Sequence, residues 1–407
     1  MRKLAVIGID LGTDSIKIVA LESVGGELFP RVVGAGAAAG RGMRRGAVID
    51  HDELANAVRE AKNALEKSTG LKNVEAHVAL GGIGLNFQKA KGLVAVSRAD
   101  GEITKEDMKR ASQASETMLS RLQNKEIIHR IPLSYKIDNE ASTHDPLGLT
   151  GSKLETETFF ITVFAQNIKN LLKAMEETDI EVEEIAASPL AASRVALGRR
   201  EKEIGGMVLD LGASTTSIVL FEEGLPYSLD ILPIGSQHIT QDIAVGFKVD
   251  LDEAEKLKIN YGAVGGEAEN FSKKPARGSS GMEDLVYGHY SRKKLSEIIE
   301  ARLSDIFELV EKHLKKVERA RLLPAGIFIV GGGANLPGIE SFTKDSLDLP
   351  VRVAEPENLG GFKDKIKNPA WSVAVGTALM ALEKESSTSF FRSSGNPLLR
   401  WLRAFLP

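Results

Sequence analysis

Two segments of the chain place an aspartate and several small residues at the tip of a predicted hairpin. The first is Ile9-Asp10-Leu11-Gly12-Thr13-Asp14-Ser15-Ile16-Lys17-Ile18, and the second is Leu209-Asp210-Leu211-Gly212-Ala213-Ser214-Thr215-Thr216-Ser217-Ile218. In both, an apolar run precedes the aspartate, a glycine follows two residues later, and hydroxyl side chains lead into another apolar run. This pattern predicts two strands joined by a tight turn that carries the aspartate and several backbone N–H groups.

Such tips can hold a phosphate chain and its metal ion. Gly12 and Gly212 allow the backbone to approach phosphate oxygens without a Cβ atom in the way. Asp10 and Asp210 could hold Mg²⁺ through its water shell, because Mg²⁺ keeps several waters and takes few protein ligands. Lys17 could offset the charge of the outer phosphates. A single Asp-x-Gly turn is most often only a tight turn, whereas two matched copies predict a nucleotide site between two halves of the chain.

A third glycine segment follows a predicted buried strand at 327–330. Its backbone could pass beneath a nucleoside, because glycines leave room for close approach. The predicted cofactor-binding residues from the hairpins and from this segment are Asp10, Gly12, Thr13, Ser15, Lys17, Asp210, Gly212, Ala213, Ser214, Thr215, Gly331, Gly332, Gly333 and Asn335.

Composition narrows the class of protein. The chain has 407 residues, 43% hydrophobic and 27% charged residues, no cysteine and a formal net charge of -4. The length predicts more than one domain. The slightly acidic balance disfavours nucleic acid as a partner, and the lack of cysteine excludes disulfides and thiolate metal sites. No apolar run approaches the ~20 residues that cross a bilayer, so a soluble or peripheral protein is expected.

The surrounding sequence predicts the elements that position these residues. Helical periodicity is present at 51–68, and a strand at 74–80 ends on two glycines. The sequence pattern changes at residues 83–161, which are predicted to form an inserted module. Further along the chain, a long amphipathic helix is predicted from about 292 to 321 and a last helix at 370–382.

The order of these motifs resembles that of a known superfamily. A hairpin, a second hairpin 200 residues later and then a strand with three glycines are similar to the phosphate-1, phosphate-2 and adenosine motifs of the actin, Hsp70 and sugar-kinase proteins. Within that superfamily the whole chain resembles the FtsA family of bacterial cell-division proteins. The most specific markers lie in the inserted module, at Ile131–Asp138 and Asp145–Glu155.

The resemblance implies an α/β chain with an actin-like ATPase fold, in which duplicated ribonuclease-H-like halves carry an FtsA-type inserted subdomain. It also implies ATP and Mg²⁺ as cofactors, with Glu255 and Lys258 flanking the adenine and ribose. From the residues alone, this pair could equally be an i,i+3 surface ion pair.

The resemblance also implies how the chain divides into subdomains. The division is subdomain 1A at 1–82 with 162–190 and part of the last helix, subdomain 1C at 83–161, subdomain 2A at 191–238 with 324–382, subdomain 2B at 239–323, a linker at 383–395 and a terminal helix at 396–407.

The last residues of the chain predict an amphipathic helix without reference to any family. At about 100° per residue, one face carries apolar side chains and the other carries arginines. The predicted membrane-contacting residues are Leu398, Leu399, Arg400, Trp401, Leu402, Arg403, Phe405 and Leu406. Eleven residues at ~1.5 Å each extend about 16 Å, too short to cross a ~30 Å hydrocarbon core. Such a helix lies in the membrane interface and favours anionic lipid; docking on the protein itself or on a partner is the alternative.

The long helix carries the partner site that the resemblance implies. In the FtsA family, the domain around it receives the acidic and hydrophobic C-terminal tail of FtsZ. The matching positions place Arg302 against a tail carboxylate, with Asp305 one turn further. The family more often has glutamate at the second position, and Gly288 stands where a basic residue is expected. A solvated helical face is the alternative for both residues.

These features together predict a peripheral, actin-like protein that polymerises and anchors FtsZ filaments to the cytoplasmic face of the membrane at the division septum. The inserted module is expected to contact later division proteins. No residue stands out as a general base, so at most a weak ATPase is expected. Sugar or acetate kinases, Hsp70-type chaperones and a PilM-like pilus-assembly adaptor share the hairpins. The terminal helix disfavours the kinases and the PilM-like adaptor, which is the nearest of the three. A chaperone would need a peptide-binding domain after the ATPase, and only about 25 residues follow the last predicted helix.

Overall fold

The computed structural model describes residues 5–24, 27–71, 74–120, 122–268, 285–286 and 290–388. Its strands are β1 (Ala5–Leu11), β2 (Ser15–Glu22), β3 (Arg31–Ala39), β4 (Met43–Arg44), β5 (Ala47–Val48), β6 (Val74–Leu80), β7 (Asn86–Ala95), β8 (Lys125–Ile137), β9 (Ser142–Thr143), β10 (Lys153–Phe164), β11 (Ile180–Ala187), β12 (Gly206–Leu211), β13 (Thr216–Glu222), β14 (Leu225–Leu232), β15 (Leu285–Val286), β16 (Tyr290–Ser291), β17 (Gly326–Val330), β18 (Val351–Val353) and β19 (Gly360–Gly361). Its helices are α1 (His51–Thr69), α2 (Lys105–Thr117), α3 (Ala165–Glu176), α4 (Ser188–Ala196), α5 (Arg199–Ile204), α6 (Ser236–Phe247), α7 (Leu251–Tyr261), α8 (Arg292–Lys316), α9 (Ile339–Leu347) and α10 (Ser372–Thr388).

The first predicted hairpin lies at the centre of a six-stranded sheet with the order β11-β6-β1-β2-β3-β19. Strands β1 and β2 pair antiparallel, so that Asp10 lies opposite Lys17, and β1 pairs parallel with β6. Alternate side chains point to opposite faces. Ile7 and Ile9 are buried beneath α1, whereas Val6 packs with α10 on the other face.

The second hairpin occupies the same place in a second sheet, with the order β14-β13-β12-β17-β18. Strand β12 pairs antiparallel with β13 and parallel with β17, as β1 does with β2 and β6. Helix α8 buries Leu295, Ile299 and Leu303, at helical spacing, in the core of this half. The two halves therefore repeat one arrangement of hairpin and parallel strand.

The inserted segment forms its own sheet, β7-β10-β8-β9, with α2 packed on β7 and β10. The side chain of Thr104 accepts from the backbone N–H of Asp107, and Asp107 accepts from the N–H of Thr104, so both ends of this capping box are made. Gly92 lies so close to α2 that an added Cβ would come within 2.2 Å of the Ser115 nitrogen.

Helices α4 and α10 pack against each other at the centre of the molecule. A Cβ on Gly376 would lie 1.8 Å from the carbonyl oxygen of Ala191, and one on Gly8 would lie 2.3 Å from that of Ala374. This close approach is possible because residues 186–197 are rich in alanine and serine. Because α4 also contacts β12, β13 and β17, this pair joins the first half to the second.

Two predicted helix ends are wrong. Helix α8 ends at Lys316, because Glu318 and Arg321 have positive φ angles of 57° and 59° and the backbone N–H of Arg319 bonds to the carbonyl of Leu314. The last helix, α10, starts at Ser372 and continues to Thr388. The first residues of the predicted linker 383–395 are therefore helical.

Two ion pairs hold the extended part of α10. Glu383 pairs with Arg194 at 2.5 Å, and Lys384 pairs with Glu184 at 2.8 Å. Across the part of the chain that the structure describes, no helix combines the length and the apolar character needed to cross a membrane.

Candidate functional site

The two hairpin tips face each other across a cleft of about 740 Å³ between the sheets. The turn after β17, the start of α6 and one face of α7 complete its walls. All of the predicted cofactor-binding residues line this one cleft: Asp10, Gly12, Thr13, Ser15, Lys17, Asp210, Gly212, Ala213, Ser214, Thr215, Glu255, Lys258, Gly331, Gly332, Gly333 and Asn335.

The hairpin tips also contact each other directly. The hydroxyl oxygens of Thr13 and Ser214 are 2.8 Å apart, within hydrogen-bond distance. The Ser214 hydroxyl also accepts from the backbone N–H of Arg45, at 3.2 Å. Side chains from both halves thus meet across the cleft, and their hydroxyl and N–H groups are of the kind that bind phosphate oxygens.

Two carboxyl groups lie deep in the cleft. Burial raises the pKa of Asp10, and the charge of Lys17 only partly opposes this. Burial, and then the negative charge of Asp10, raises the pKa of Asp210 to about 7. Like charges held out of water repel each other unless a cation or a proton compensates. Asp10 and Asp210 therefore form a site where a cation is favourable.

Glycine shapes the floor of the cleft. Gly331 has a φ of 86°, and a Cβ there would lie 2.4 Å from an oxygen of Asp210. A Cβ on Gly332, in contrast, would meet no described atom within 4 Å. A side chain at Gly332 would thus occupy the cleft itself, because this residue lines it. Gly331 is required by the fold, whereas Gly332 leaves space for a ligand.

Glu255 and Lys258 form the ion pair that the i,i+3 spacing allows, at 2.8 Å, and they also line the cleft. The Thr240 hydroxyl connects them: it donates to Glu255 at 2.5 Å and accepts from Lys258 at 2.8 Å. Thr240 is a cleft residue that the sequence interpretation missed. No local signal marks it, because it lies on α6 and meets α7 only through tertiary packing.

Two glycine turns beside the first hairpin were also missed as cleft residues. Gly46 and Gly82 have φ angles of 79° and 88°, and a Cβ on either would come within about 2 Å of the other turn's backbone. Both turns line the cleft together with Gly81. The pair Gly81-Gly82 is evident in the sequence. The turn that contains Gly46 is placed beside it by the pairing of β4 with β5.

The predicted partner residues lie outside the cleft, on α8. The Arg302 guanidinium donates to both carboxylate oxygens of Asp242 on α6, at 2.6 and 3.0 Å, and to Asp305 at 3.0 Å. Its side chain is about a quarter exposed, and that of Asp305 is mostly exposed. The structure thus brings Arg302 and Asp305 together and adds Asp242, which the sequence did not indicate. The predicted membrane-contacting residues, at 398–406, and Gly288 fall outside the described residues.

No group of three or more metal-ligating side chains occurs among the residues that the structure covers. The two cleft carboxylates are thus fewer than an all-protein metal cage needs. They suit an ion that keeps most of its water ligands.

Comparison with known proteins identifies relatives over more than nine-tenths of the chain. The family model described as "Cell division protein FtsA" matches residues 207–376, and that of the "SHS2 domain inserted in FTSA" matches residues 82–162. The Cell division protein FtsA of Bacillus subtilis strain 168 is 31% identical over 376 residues, which are 91% of this chain and 82% of that protein. The FtsA of Borreliella burgdorferi is 29% identical over 394 residues, covering 95% and 92%.

Solved structures share the fold at lower identity. The PilM–PilN type IV pilus biogenesis complex contains a chain with a TM-score of 0.67 and 18% identity, covering 93% of this chain and 99% of that one. MreB5 of Spiroplasma citri bound to AMPPNP has a TM-score of 0.52 and 15% identity, covering 95% and 98%. With the matched inserted domain, these similarities confirm the predicted actin-like α/β fold with its FtsA-type insertion.

The Asp210 carboxyl predicts an unusual pH dependence of stability. Its pKa is about 7 in the folded chain, against a usual value of 3.8, so the folded state holds a proton that the unfolded state releases. The free energy of unfolding therefore falls as pH rises from about 4 to 7, and it stays at the lower value above pH 7. We expect Asp210→Asn to raise the melting temperature by several degrees at pH 8 and hardly at all at pH 4.5. Melting curves without nucleotide or divalent ions measure this.

Asp345→Asn is the matched control, because Asp345 is an exposed carboxylate on α9. Its melting temperature should follow that of the parent at both pH values. Equal melting temperatures of the parent and Asp210→Asn at pH 8 would show that the carboxyl pair does not strain the empty cleft.

Proposed function

The chain belongs to the FtsA family of cell division proteins, and from this we propose that it binds ATP with Mg²⁺, polymerises, and links FtsZ filaments to the cytoplasmic membrane at the division site. The observation that carries the proposal is the convergence of both hairpin tips and the glycine turn on one cleft. Each half of the duplicated fold contributes one wall. A ligand that contacts both walls stabilises the closed arrangement of the halves, because it binds that arrangement better than an open one.

The lining of the cleft suits a nucleoside triphosphate. Backbone N–H groups and hydroxyls cluster at the two tips, Lys17 supplies positive charge, and the glycine turn leaves an open surface at Gly332. The MreB5 protein of the same fold carries the ATP analogue AMPPNP, which supports a nucleotide here. The Glu255–Thr240–Lys258 group, on the far wall, offers both donors and acceptors to a base or ribose.

The residues also fit Mg²⁺. Two carboxyl groups with raised pKa values have few protein partners, and a divalent cation would compensate both. When bound, Mg²⁺ would neutralise phosphate charge. Lys17 would complete that neutralisation, and its ammonium already donates to Ser15 at 2.6 Å. We assign no general base, and we propose a structural protein with at most a weak ATPase.

Gly332 offers a direct test of nucleotide binding. Gly332→Val should weaken ATP binding by more than about tenfold, because its side chain would fill ligand space. Its melting temperature without nucleotide should equal that of the parent, since a Cβ there meets no described atom within 4 Å. Titration with a fluorescent ATP analogue and melting curves measure the two effects.

Gly266→Val is the matched control, because a Cβ on Gly266 also meets no described atom within 4 Å and the residue is not among those that line the cleft. Unchanged ATP affinity in Gly332→Val would place the nucleotide elsewhere. Gly212→Val is a less clean variant, since its Cβ would come within 2.9 Å of the Thr215 carbonyl oxygen.

We propose that the FtsZ tail binds beside Arg302. Of the five N–H groups of a guanidinium, three are used by Asp242 and Asp305, which leaves two for a tail carboxylate. Val245 on α6 and Leu309 on α8 are exposed apolar residues of the same two helices. An acidic and hydrophobic peptide would find both kinds of contact there. Asp305 would orient the guanidinium.

Two substitutions at the Arg302 site should change the affinity for the tail peptide in opposite directions. Arg302→Glu should weaken binding of an FtsZ tail peptide by more than about tenfold, because it sets a third carboxylate beside Asp242 and Asp305. Asp242→Asn should strengthen binding, since the amide competes less for the guanidinium. Fluorescence anisotropy with a labelled peptide measures both.

Arg130→Glu is the control, because Arg130 forms a similar two-bond pair with Glu116 in the inserted module. It should leave the peptide affinity unchanged. Equal affinity of Arg302→Glu and the parent would move the tail site to another surface.

We propose that residues 396–407 form the membrane anchor. One short helix binds lipid weakly, and polymerisation of the body would sum many such helices into firm attachment. Deletion of 396–407 should reduce co-sedimentation with phosphatidylglycerol vesicles to background while leaving ATP affinity intact. Undiminished co-sedimentation would exclude this segment as the anchor.

A PilM-like adaptor role is the weaker alternative. The chain of the PilM–PilN complex is similar in fold at 18% identity, which supports the shared architecture alone. Sequence similarity over nine-tenths of the chain lies with FtsA proteins. The FtsZ-tail measurement also separates the two roles.

A further inference from the structure

The inserted module, residues 83–161, contacts the second half of the molecule as well as the first. Its strand β7 approaches β14, which is the edge strand of the second sheet. The ammonium of Lys89 on β7 lies over the ring of Tyr227 on β14, 4.3 Å from the ring centroid. A cation in this position is attracted to the face of the ring. We call this the module contact.

The second half holds the Tyr227 ring toward the module. The pairing of β13 with β14 shifts register between Leu220 and Phe221, and Tyr227 is the extra residue of this β-bulge. A bulge commonly redirects a side chain. The Arg319 guanidinium lies over the same ring at 4.5 Å and donates to Glu222 of β13 at 2.8 Å. The ring is therefore fixed by elements of the second half.

The module itself is fixed to the first half. Phe159 and Ile161 of β10 belong to the buried cluster that also contains residues of α1 and β1. The His129 imidazole on β8 accepts from the backbone N–H of Ala187 at 2.9 Å, and the next residue, Ser188, lines the cleft. Because a packed core deforms little, the module and the first half should move as one body.

The module contact lies away from the hairpin tips. Leu232, at the other end of β14, lies opposite Thr216, which directly follows the second tip. Five residues separate Tyr227 from Leu232, which corresponds to about 17 Å. The halves thus touch at the tips, at the central helices α4 and α10, and at the module contact. A movement that separates the halves would also draw Lys89 away from Tyr227.

Both outer contacts occur in the same arrangement of the halves, since Thr13 and Ser214 also meet at the tips. Building on the proposed nucleotide site, we infer that the inserted module regulates that site: through Lys89 and Tyr227 it stabilises the closed arrangement of the halves, which is the one that binds nucleotide. The module contact and nucleotide binding then strengthen each other by the same factor. A partner of the module that displaced Lys89 would weaken nucleotide binding.

The charges around the ring suit a contact that can open and close. Partial burial lowers the pKa of the Lys89 ammonium, the negative charges of Glu157 and Glu222 oppose that change, and the positive charge of Arg319 adds to it. Attraction to the ring and to the carboxylates is therefore partly offset by repulsion between the two cations. The module contact favours the closed arrangement without locking it.

Substitutions on both sides of the module contact test the inference in the full-length protein. Lys89 is exposed, and Lys89→Ala should weaken ATP binding by about fivefold, because one cation–ring contact is lost from the closed arrangement. Tyr227→Leu should have the same effect, and the double variant should be no weaker than either single one, because both remove one interaction. Titration with a fluorescent ATP analogue and Mg²⁺ measures the affinities.

Conservative variants and a matched control separate this role from general loosening of the fold. Lys89→Arg and Tyr227→Phe keep the cation and the ring, so both should bind ATP as the parent does. Lys125→Ala is the control, because the Lys125 ammonium lies over the Phe164 ring at 5.6 Å without joining the two halves. It should leave ATP affinity unchanged. Without nucleotide, Lys89→Ala and Lys125→Ala should have equal melting temperatures.

A cross-link tests which arrangement the module contact belongs to. The chain has no cysteine, so K89C/Y227C can be joined specifically by a short bismaleimide. The double variant should bind ATP weakly before cross-linking, and cross-linking should restore the parental affinity. Loss of ATP binding on cross-linking would overturn the inference, because the contact would then belong to an open arrangement.

The two proposals fail in different ways. If the parent binds ATP and Lys89→Ala binds it equally well, the nucleotide site stands and the inferred regulation is wrong. If the parent does not bind ATP, the nucleotide site itself is wrong and the inferred regulation fails with it.

Discussion

The structure depends on holding two carboxylates, Asp10 and Asp210, at facing hairpin tips inside one cleft. Burial and mutual repulsion oppose their ionisation, and the pKa of Asp210 rises to about 7 as a result. A protein selected only for stability would gain by removing one of them. Their retention makes the closed cleft unfavourable when empty and favourable when a cation and phosphates occupy it. The Thr13–Ser214 contact shows that the two tips lie close enough for groups of both halves to reach one ligand.

The repulsion between these carboxylates can affect the rest of the molecule only if the two halves move relative to each other. Helices α4 and α10 connect the halves. Helix α4 contacts three strands of the second half and also packs on α10. The approach is so close at Gly376 that no side chain fits. A packed contact of this kind transmits small displacements instead of absorbing them. Relative movement of the two halves would therefore be passed to α10, which begins at the cleft and leads to the tail.

Local patterns in the sequence predicted the elements that depend on interactions between residues close together in the chain. Both hairpins form because each aspartate and glycine sits between apolar runs, and all of the predicted cofactor-binding residues line one cleft. Thr240 and Asp242 escaped notice because only the packing of α6 on α7 and α8 gives them partners. The end of α10 was placed too early for a related reason: ion pairs with Glu184 and Arg194, far away in sequence, hold its last turns.

Helix α10 also sets the geometry of attachment. One end lines the proposed nucleotide site, and the other end is bound to Arg194 and Glu184 before the chain continues to the predicted anchor. A tail on a linker alone would leave the body free to rotate above the membrane, so that neighbouring subunits would not share an orientation. Polymerisation would remove most of that freedom, because a subunit fixed to its neighbours cannot rotate alone. Subunits already held at one surface lose less entropy when they polymerise, so membrane attachment and polymerisation would each favour the other.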